Sequence, residues 1–486
     1  DGYLYTWRTI QNKTGQKEYV DIRNKVRNLS WLEGERWEKV DQLSHELYNA
    51  GHLYEAAVAY YEATGKRALL DIALKNAELV YKDFGPGKLE KAPGHQEVEV
   101  GLVKLYRLTK DERWLNLAKY FLDVRGYGNE YSQNHQALKD QRKAVGHAVR
   151  LGYMFMGAAD VAALTGTDEY DETMKAVWED IVSSQMYLTG GVGATGQNEG
   201  FGGSFDLPNY SAYNETCSSI SFALWSQRMF QLTGEGHYLD VLELTIYNAL
   251  NAGLSLSGDH YFYPNPLESR KNVERTPWFG CACCPPNLSR FYNSLSGLFY
   301  GQKGNDLYIN QYAASQTKII QNQKEKNASV VDILQETNYP WEGKIKLTIN
   351  PETPSSFSIY TRIPAWAKGQ VAPLDLYTVH NYSGSQISIK VNGQAIKIQE
   401  EKGFAVIKRT WKKGDQIEIE FPMQPQKIKA NEKVEANEER YAIKRGPIVY
   451  CLEGKDQSDD RILNVLVPDT VSIHQKFEAQ LFGGIP

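Results

Sequence analysis

Three cysteines fall within four positions in WFGCACCPPN (278–287), and a fourth, Cys217, follows the acid Glu215 by two residues in YNETCSS (213–219). The chain holds five cysteines in 486 residues, too few and too clustered for a disulfide framework. Adjacent Cys283 and Cys284 are poor partners for one another, because neighbours rarely reach the Cα separation and torsion of a disulfide. Thiols crowded beside a carboxylate suit metal binding or catalysis. In an extended segment Glu215 and Cys217 project to the same side, and Cys283 and Cys284 would lie in a turn closed by Pro285 and Pro286. Three thiolates and a carboxylate form a four-donor set, and sulfur donors favour zinc. Buried free cysteines are the plainer reading, since free thiols are common in cores. The density of four in two short segments that also carry Gly, Pro and an acid weighs against it. Spacing alone does not separate a closed structural site from a catalytic one.

Other residues could join this chemistry. Glu199, in GQNEGFGG, precedes Glu215 by 16 residues and is either a solvated loop acid or a general acid tuned by its site. Three histidines each follow a glycine: His52 in AGHLYEA, His95 in PGHQEVE and His147 in VGHAVRL. Each reads as the start of a helix, and three in one context balance a binding role against core packing. Tyr263, in HYFYPNPLE, stands among aromatics shortly before the cysteines, where ligand contact and packing are equally open. His45, His135, His237, His260, His380 and His474 show no such pattern and read as surface or structural.

The elements that must position these residues change character near residue 300. YYEATGKRALLDIAL (60–74) is echoed by LYRLTKDERWLNLAK (105–119), VAALTGTDEYDETMK (161–175) and MFQLTGEGHYLDVLE (229–243). Each amphipathic run ends at a threonine, at 64, 109, 165 and 233, and a new run opens a few residues later. Repeated helix hairpins with long Gly-rich loops favour an α/α toroid over an open solenoid, with the loops gathered at one mouth. Beyond 300, KIKLTINPE, SFSIYTRIP, FAVIKRTW and QIEIEFPM alternate at period two, and Asn392-Gly393 marks a hairpin. The expected architecture is thus an α+β multidomain chain: a helical toroid over 1–302, a β-sandwich over 303–424, and the start of a second, incomplete β-sandwich over 425–486 that includes RYAIKRGPIVYCLEG and RILNVLVP and stops at Pro486.

Bulk composition bounds the partners. Net charge is −5, which argues against a nucleic-acid footprint or a basic membrane patch. No stretch approaches the roughly 20 apolar residues of a membrane span. Aromatics make up 12% of the chain, including 31 Tyr and 10 Trp, a mild lean toward sugar stacking. The chain begins at Asp1, so nothing about a leader or compartment follows from its start.

The segments ELYNAGHLYEAAVA, PGHQEVEVGLVKLY, GHAVRLGYM, TGGVGATGQNEGFG, YNETCSSI, YFYPNPLE and WFGCACCPPN, in that order, resemble glycoside hydrolase family 127, the retaining β-L-arabinofuranosidases. KRGPIVYCLEG is similar to the family's C-terminal β region. The resemblance implies an (α/α)6 barrel followed by β-sandwich domains, and a Zn2+ held by Glu215, Cys217, Cys283 and Cys284. It also implies Cys283 as nucleophile, Glu199 as acid/base, and His52, His95, His147 and Tyr263 as sugar contacts, leaving Cys281 outside the ligand set. Against the family pattern the chain starts late and ends early, with about four of six hairpins evident. A glycan substrate and a bacterial periplasmic or cytoplasmic setting are what it implies; oligomeric state is left open.

Three other readings are kept. The same fold could release another furanose, such as the aceric acid of pectic rhamnogalacturonan II. A sugar epimerase or lyase would work through the histidines, with zinc purely structural. A non-catalytic carbohydrate-binding protein would use the metal only to pin two loops.

Overall fold

The computed structural model describes residues 1–20, 25–28, 34–270, 273–321, 328–382, 384, 386–457 and 461–480; Pro486, the expected end of the second β-sandwich, lies outside them. Ten helices are described: α1 (Thr6–Thr14), α2 (Glu46–Thr64), α3 (Ala68–Asp83), α4 (Val98–Thr109), α5 (Glu112–Asp123), α6 (Ala148–Thr165), α7 (Asp171–Ser184), α8 (Thr216–Thr233), α9 (His237–Thr245) and α10 (Cys284–Ser294). None of the described helices is long and apolar enough to cross a membrane.

The recurrent threonines stop helices by one repeated device. Thr64, Thr109 and Thr165 are the last residues of α2, α4 and α6, and each hydroxyl donates to the carbonyl four residues back, at 2.6–2.8 Å. The same oxygens, and Thr233 Oγ1 at the end of α8, accept the N–H two residues ahead at 3.2–3.3 Å. That bond replaces a backbone partner which a continuing helix would supply, so the chain turns. Left-handed Gly65, Lys110 and Gly166 then close the three turns.

The chain divides into two compact units. The first comprises 1–187, 191–232 and 252–288. Within it α4, α6 and α8 are buried on nearly every face along much of their length, whereas α5 buries one stripe formed by Trp114, Leu115, Leu117, Ala118, Phe121 and Leu122. Helices α2 and α4 meet through glycine: a Cβ at Gly101 would fall 2.5 Å from Gly51 O. These two helices therefore pack backbone to backbone at that crossing.

The second unit comprises 188–190, 233–251 and 289–486. Its six-stranded antiparallel sheet runs from Gln394–Ala395 through Ser388–Val391, Asp415–Glu420, Lys344–Pro351 and Ser329–Thr337 to Ser315–Gln321. A five-stranded sheet places Ser355–Arg362 between Phe404–Trp411 and Asp306–Ile309, the latter pairing in parallel. The two sheets share one core, with Ile333, Leu347 and Ile349 from the first against Leu307, Ile359 and Trp411 from the second. Alternating burial along Lys344–Pro351 is the period-two pattern of the sequence realised as an inward and an outward face. Asn392 and Gly393 both adopt positive φ, 51° and 78°, and join Val391 to Gln394 as a two-residue hairpin. A four-stranded sheet holds Ala442–Arg445 and Ile448–Tyr450. RILNVLVP (461–468) differs from its expectation: it forms no strand and lies almost wholly exposed, with no sheet face to bury its apolar residues.

A buried ionic cluster ties α9 to the strands within this unit. Arg362 is wholly buried and bonds Asp240 Oδ1 at 2.8 Å and the Glu243 carboxylate, which also accepts from Tyr339 at 2.5 Å and Trp366 at 3.0 Å. Arg362→Met strands both carboxylates, so we expect a loss of about 3–5 kcal/mol, read as a lower urea midpoint.

Candidate active site

The four donors expected from the sequence come together inside the first unit. Glu215 immediately precedes α8, and Cys217 lies in its first turn; the segment is a helix start rather than an extended strand. Cys283 directly precedes α10, and its carbonyl accepts the N–H of Asn287 at 3.1 Å. Pro285 and Pro286 therefore open a helix instead of closing a turn, as proline can in a first turn where its missing N–H costs nothing. Both segments aim a helix N-terminus at the cluster, where the backbone dipole favours negative charge.

The separations fit a metal. Cys217 Sγ lies 3.4 Å from Cys284 Sγ, Cys283 Sγ lies 3.7 Å from Cys284 Sγ, and both Cys283 and Cys284 lie 3.6 Å from Glu215 Oε1. A tetrahedral ion with metal–sulfur bonds near 2.3 Å has sulfur–sulfur edges of about 3.7 Å. Burial, and then the Cys283 sulfur, push the Glu215 carboxyl well above its ordinary range. Burial and the Cys217 sulfur do the same to Cys284. Glu215 Oε2 is buried without a hydrogen-bond partner. Burial thus disfavours charge on Glu215 and Cys284 unless a cation joins them, and the four-donor set suits one.

Glu199 stands beside this cluster. One of its carboxylate oxygens lies within 4.8 Å of donor atoms of both Glu215 and His147. Its Oε2 is 3.0 Å from His147 Nε2, and its Oε1 accepts from Tyr213 at 3.0 Å. His147 Nδ1 accepts the Arg150 N–H at 3.3 Å, which leaves the proton on Nε2 and makes His147 the donor to Glu199. The His147 bond, followed by the Tyr213 hydroxyl, outweighs burial and holds Glu199 below the usual carboxylate range. The loop is laced to α6: Ala148 N–H bonds Glu199 O at 3.2 Å, and Phe201 N–H bonds Gly146 O at 3.0 Å. A Cβ at Gly200 would sit 1.8 Å from Gly146 O, so only glycine permits this approach.

Histidines and tyrosines form the adjoining wall. Tyr48 lies 4.1 Å from the His95 ring and 4.4 Å from the His52 ring, and His95 lies 5.7 Å from His147. Burial, with the Arg150 charge next, pulls His95 well down and His45 to about 4; burial also lowers His147. Neutral imidazoles both donate and accept, the capacity that sugar hydroxyls need. Tyr263 joins from the other side, its ring 6.1 Å from Tyr213, with the Glu215 and Cys283 charges adding to burial in raising it.

All the named site residues thus lie in one unit, but not all by the expected local structure. His147 caps α6 and His95 precedes α4, whereas His52 sits inside α2 rather than at its start. The preceding Gly51 is not a break: a Cβ there would meet Glu97 C at 2.6 Å, so the glycine serves close approach. His45, read as surface or structural, places its ring 5.5 Å from His95. Tyr213, Tyr48 and Arg150 join the site without a sequence pattern of their own. Tyr213 stands within YNETCSS and Arg150 three residues after His147, so proximity to a singled-out residue was the available signal.

The chain matches three family descriptions in order: "Beta-L-arabinofuranosidase, GH127 catalytic domain" over 1–297, "Beta-L-arabinofuranosidase, GH127 middle domain" over 306–423, and "Glycoside hydrolase family 127 C-terminal domain" over 425–482. The chain belongs to glycoside hydrolase family 127. A non-reducing end β-L-arabinofuranosidase of Bifidobacterium longum subsp. longum is 34% identical over 514 aligned positions, covering 96% of this chain and 74% of that protein. Among solved structures, a GH127 β-arabinofuranosidase superposes with a TM-score of 0.93 at 43% identity, covering 100% of this chain and 74% of its own. A GH127 β-L-arabinofuranosidase from Geobacillus stearothermophilus T6 gives 0.88 at 36%, covering 100% and 75%. As a family 127 member the chain is a glycoside hydrolase, a class that acts on glycans.

Proposed function

We propose that this family 127 chain is an exo-acting, retaining hydrolase that releases a terminal β-L-arabinofuranose, with Cys283 as nucleophile and Glu199 as acid/base. The observation that carries this reading is the exposure of the sulfurs: Cys217 and Cys284 are buried, while Cys283 is only partly so. The helical part is read as an (α/α)6 barrel, an arrangement that suits its inner layer of buried helices. Glu215, Cys217, Cys283 and Cys284 would hold zinc, which when bound keeps the three sulfurs deprotonated at neutral pH.

Cys283 sulfur attacks the anomeric carbon, forming a carbon–sulfur bond as the glycosidic carbon–oxygen bond breaks. Glu199 gives its proton to the departing oxygen. A water molecule then loses a proton to Glu199 and attacks the same carbon, which releases the Cys283 thiolate and the sugar with retained configuration. His52, His95 and Tyr263 bind the sugar hydroxyls, and His147 lines the same site with its Nε2 on Glu199. The donor set carries four negative charges against two on the ion, so the Cys283 sulfur keeps nucleophilic character.

The test is proton NMR of the first product formed from an aryl β-L-arabinofuranoside. Initial appearance of β-L-arabinose supports the reading; α-L-arabinose first, or no release by zinc-loaded protein, contradicts it. Metal analysis should return about one zinc per chain. Removal by a strong chelator should abolish turnover and lower Tm, both restored by zinc.

The Glu199 contacts set a pH expectation. A proton donor must be protonated in the free enzyme, so kcat/KM falls as pH rises through the Glu199 pKa. Two hydrogen-bond donors hold that pKa down. Tyr213→Phe removes one of them, raises the pKa and moves the alkaline limb to higher pH. A limb that stays in place or moves down would contradict the role.

A further inference from the structure

The sequence PGHQEVE places Glu97 two residues after His95, and the structure brings its carboxylate to a different histidine, His52. Glu97 lies in the link before α4, wholly buried, with a backbone φ of 151°. That region is one a side-chain-bearing residue rarely occupies, and it persists where the surroundings impose it, often at functional sites. The Glu97 N–H donates to Glu99 Oε2 at 3.1 Å, and Glu99 Oε1 is bonded 3.1 Å from Arg125, with both side chains fully buried. Gly51 of α2 leaves room for the Glu97 backbone to lie directly against the helix. The Glu97 carboxylate so placed stands 3.2 Å from Nδ1 of His52. A second carboxylate, Glu55, is 4.0 Å from the same nitrogen, but Lys104 already pairs with it. On its other side the His52 ring meets Tyr48, whose own neighbours include Cys217 and Cys283.

We infer that Glu97 is a positioning residue for His52: its carboxylate accepts a hydrogen bond from Nδ1–H and keeps the proton there, so that Nε2 is presented as an acceptor for a sugar hydroxyl. The inference rests on the proposed reading of His52 as a sugar contact. An imidazole is symmetric enough to offer either nitrogen, and a sugar hydroxyl that donates needs the bare one. The partner on the far nitrogen decides which is bare. A buried carboxylate on a constrained backbone makes that choice permanent, whereas solvent on the same nitrogen would leave both tautomers populated.

Two measurements test it. The first is the 15N spectrum of histidine-labelled wild-type protein, with His52 assigned by its loss in His52→Gln. We expect a protonated Nδ1 and a bare Nε2; a bare Nδ1, or protons on both nitrogens, overturns the inference. This measurement needs no substrate and no Glu97 variant, so it stands whether or not the arabinofuranoside reading survives. The second is a double-mutant cycle on an aryl β-L-arabinofuranoside. Glu97→Gln can meet Nδ1 with either end of its amide, so KM should rise on the order of tenfold with Tm kept. In the His52→Ala background the same change should add nothing. Equal losses in both backgrounds would mean that Glu97 only supports the fold, and an unchanged KM in His52→Ala alone would remove the contact it is inferred to position.

Discussion

Cys283→Ala should abolish hydrolysis of an aryl β-L-arabinofuranoside, with kcat falling by a factor on the order of 10⁴–10⁶. The size follows from what is removed. Without the sulfur no covalent bond forms to the anomeric carbon, and residual rate comes from binding and proton transfer alone. The variant should nevertheless fold. Cys283 is only partly buried, and it precedes α10 rather than packing inside it. Glu215, Cys217 and Cys284 remain as three donors, a number with which proteins hold catalytic zinc. We therefore expect zinc content and Tm close to wild type alongside lost turnover. Near-normal turnover in a zinc-loaded Cys283→Ala protein would remove the sulfur from the chemistry. Cys217→Ser is the contrasting case, because its sulfur is buried and its loss should act through metal content.

The second large effect is expected at Glu199. Glu199→Ala should cost about 10²–10⁴ in kcat for substrates with poor leaving groups, the usual worth of positioned proton transfer. The loss should shrink for a nitrophenyl leaving group in the first step, since that oxygen departs without a proton. The second step still lacks its base, so the covalent sugar should accumulate. Azide needs no base, and it should restore turnover and yield a glycosyl azide of β configuration. Failure of azide to rescue, with equal losses for good and poor leaving groups, would assign Glu199 a binding role only.

How far the sequence carried this account depends on how local each cause is. The helix stops are readable because each is made by one threonine bonding residues two ahead and four behind, a pattern held within seven positions. Strand alternation was readable for the same reason, and so was the Asn392-Gly393 turn. The donor cluster was legible through residue type, although both of its segments are helix starts where the spacing was read as a strand and a turn. What could not be read depends on distant backbone. His52 falls inside α2 because Gly51 accommodates the Glu97 backbone, and nothing within AGHLYEA announces that neighbour. Tyr213 and His147 become partners of Glu199 only when the 193–201 loop lies along the start of α6. The strand expected in RILNVLVP fails because period and composition do not reveal whether a face awaits it.

The proposed hydrolysis turns on a bond between the Cys283 sulfur and the anomeric carbon. Its most direct test is mass spectrometry of the enzyme treated with an epoxide of β-L-arabinofuranose configuration, followed by fragmentation of the peptides that contain Glu199, Glu215 and Cys283. One sugar adduct is expected on Cys283, absent in Cys283→Ala and blocked by a competing arabinofuranoside. An adduct on Glu215 or Glu199 instead would contradict it.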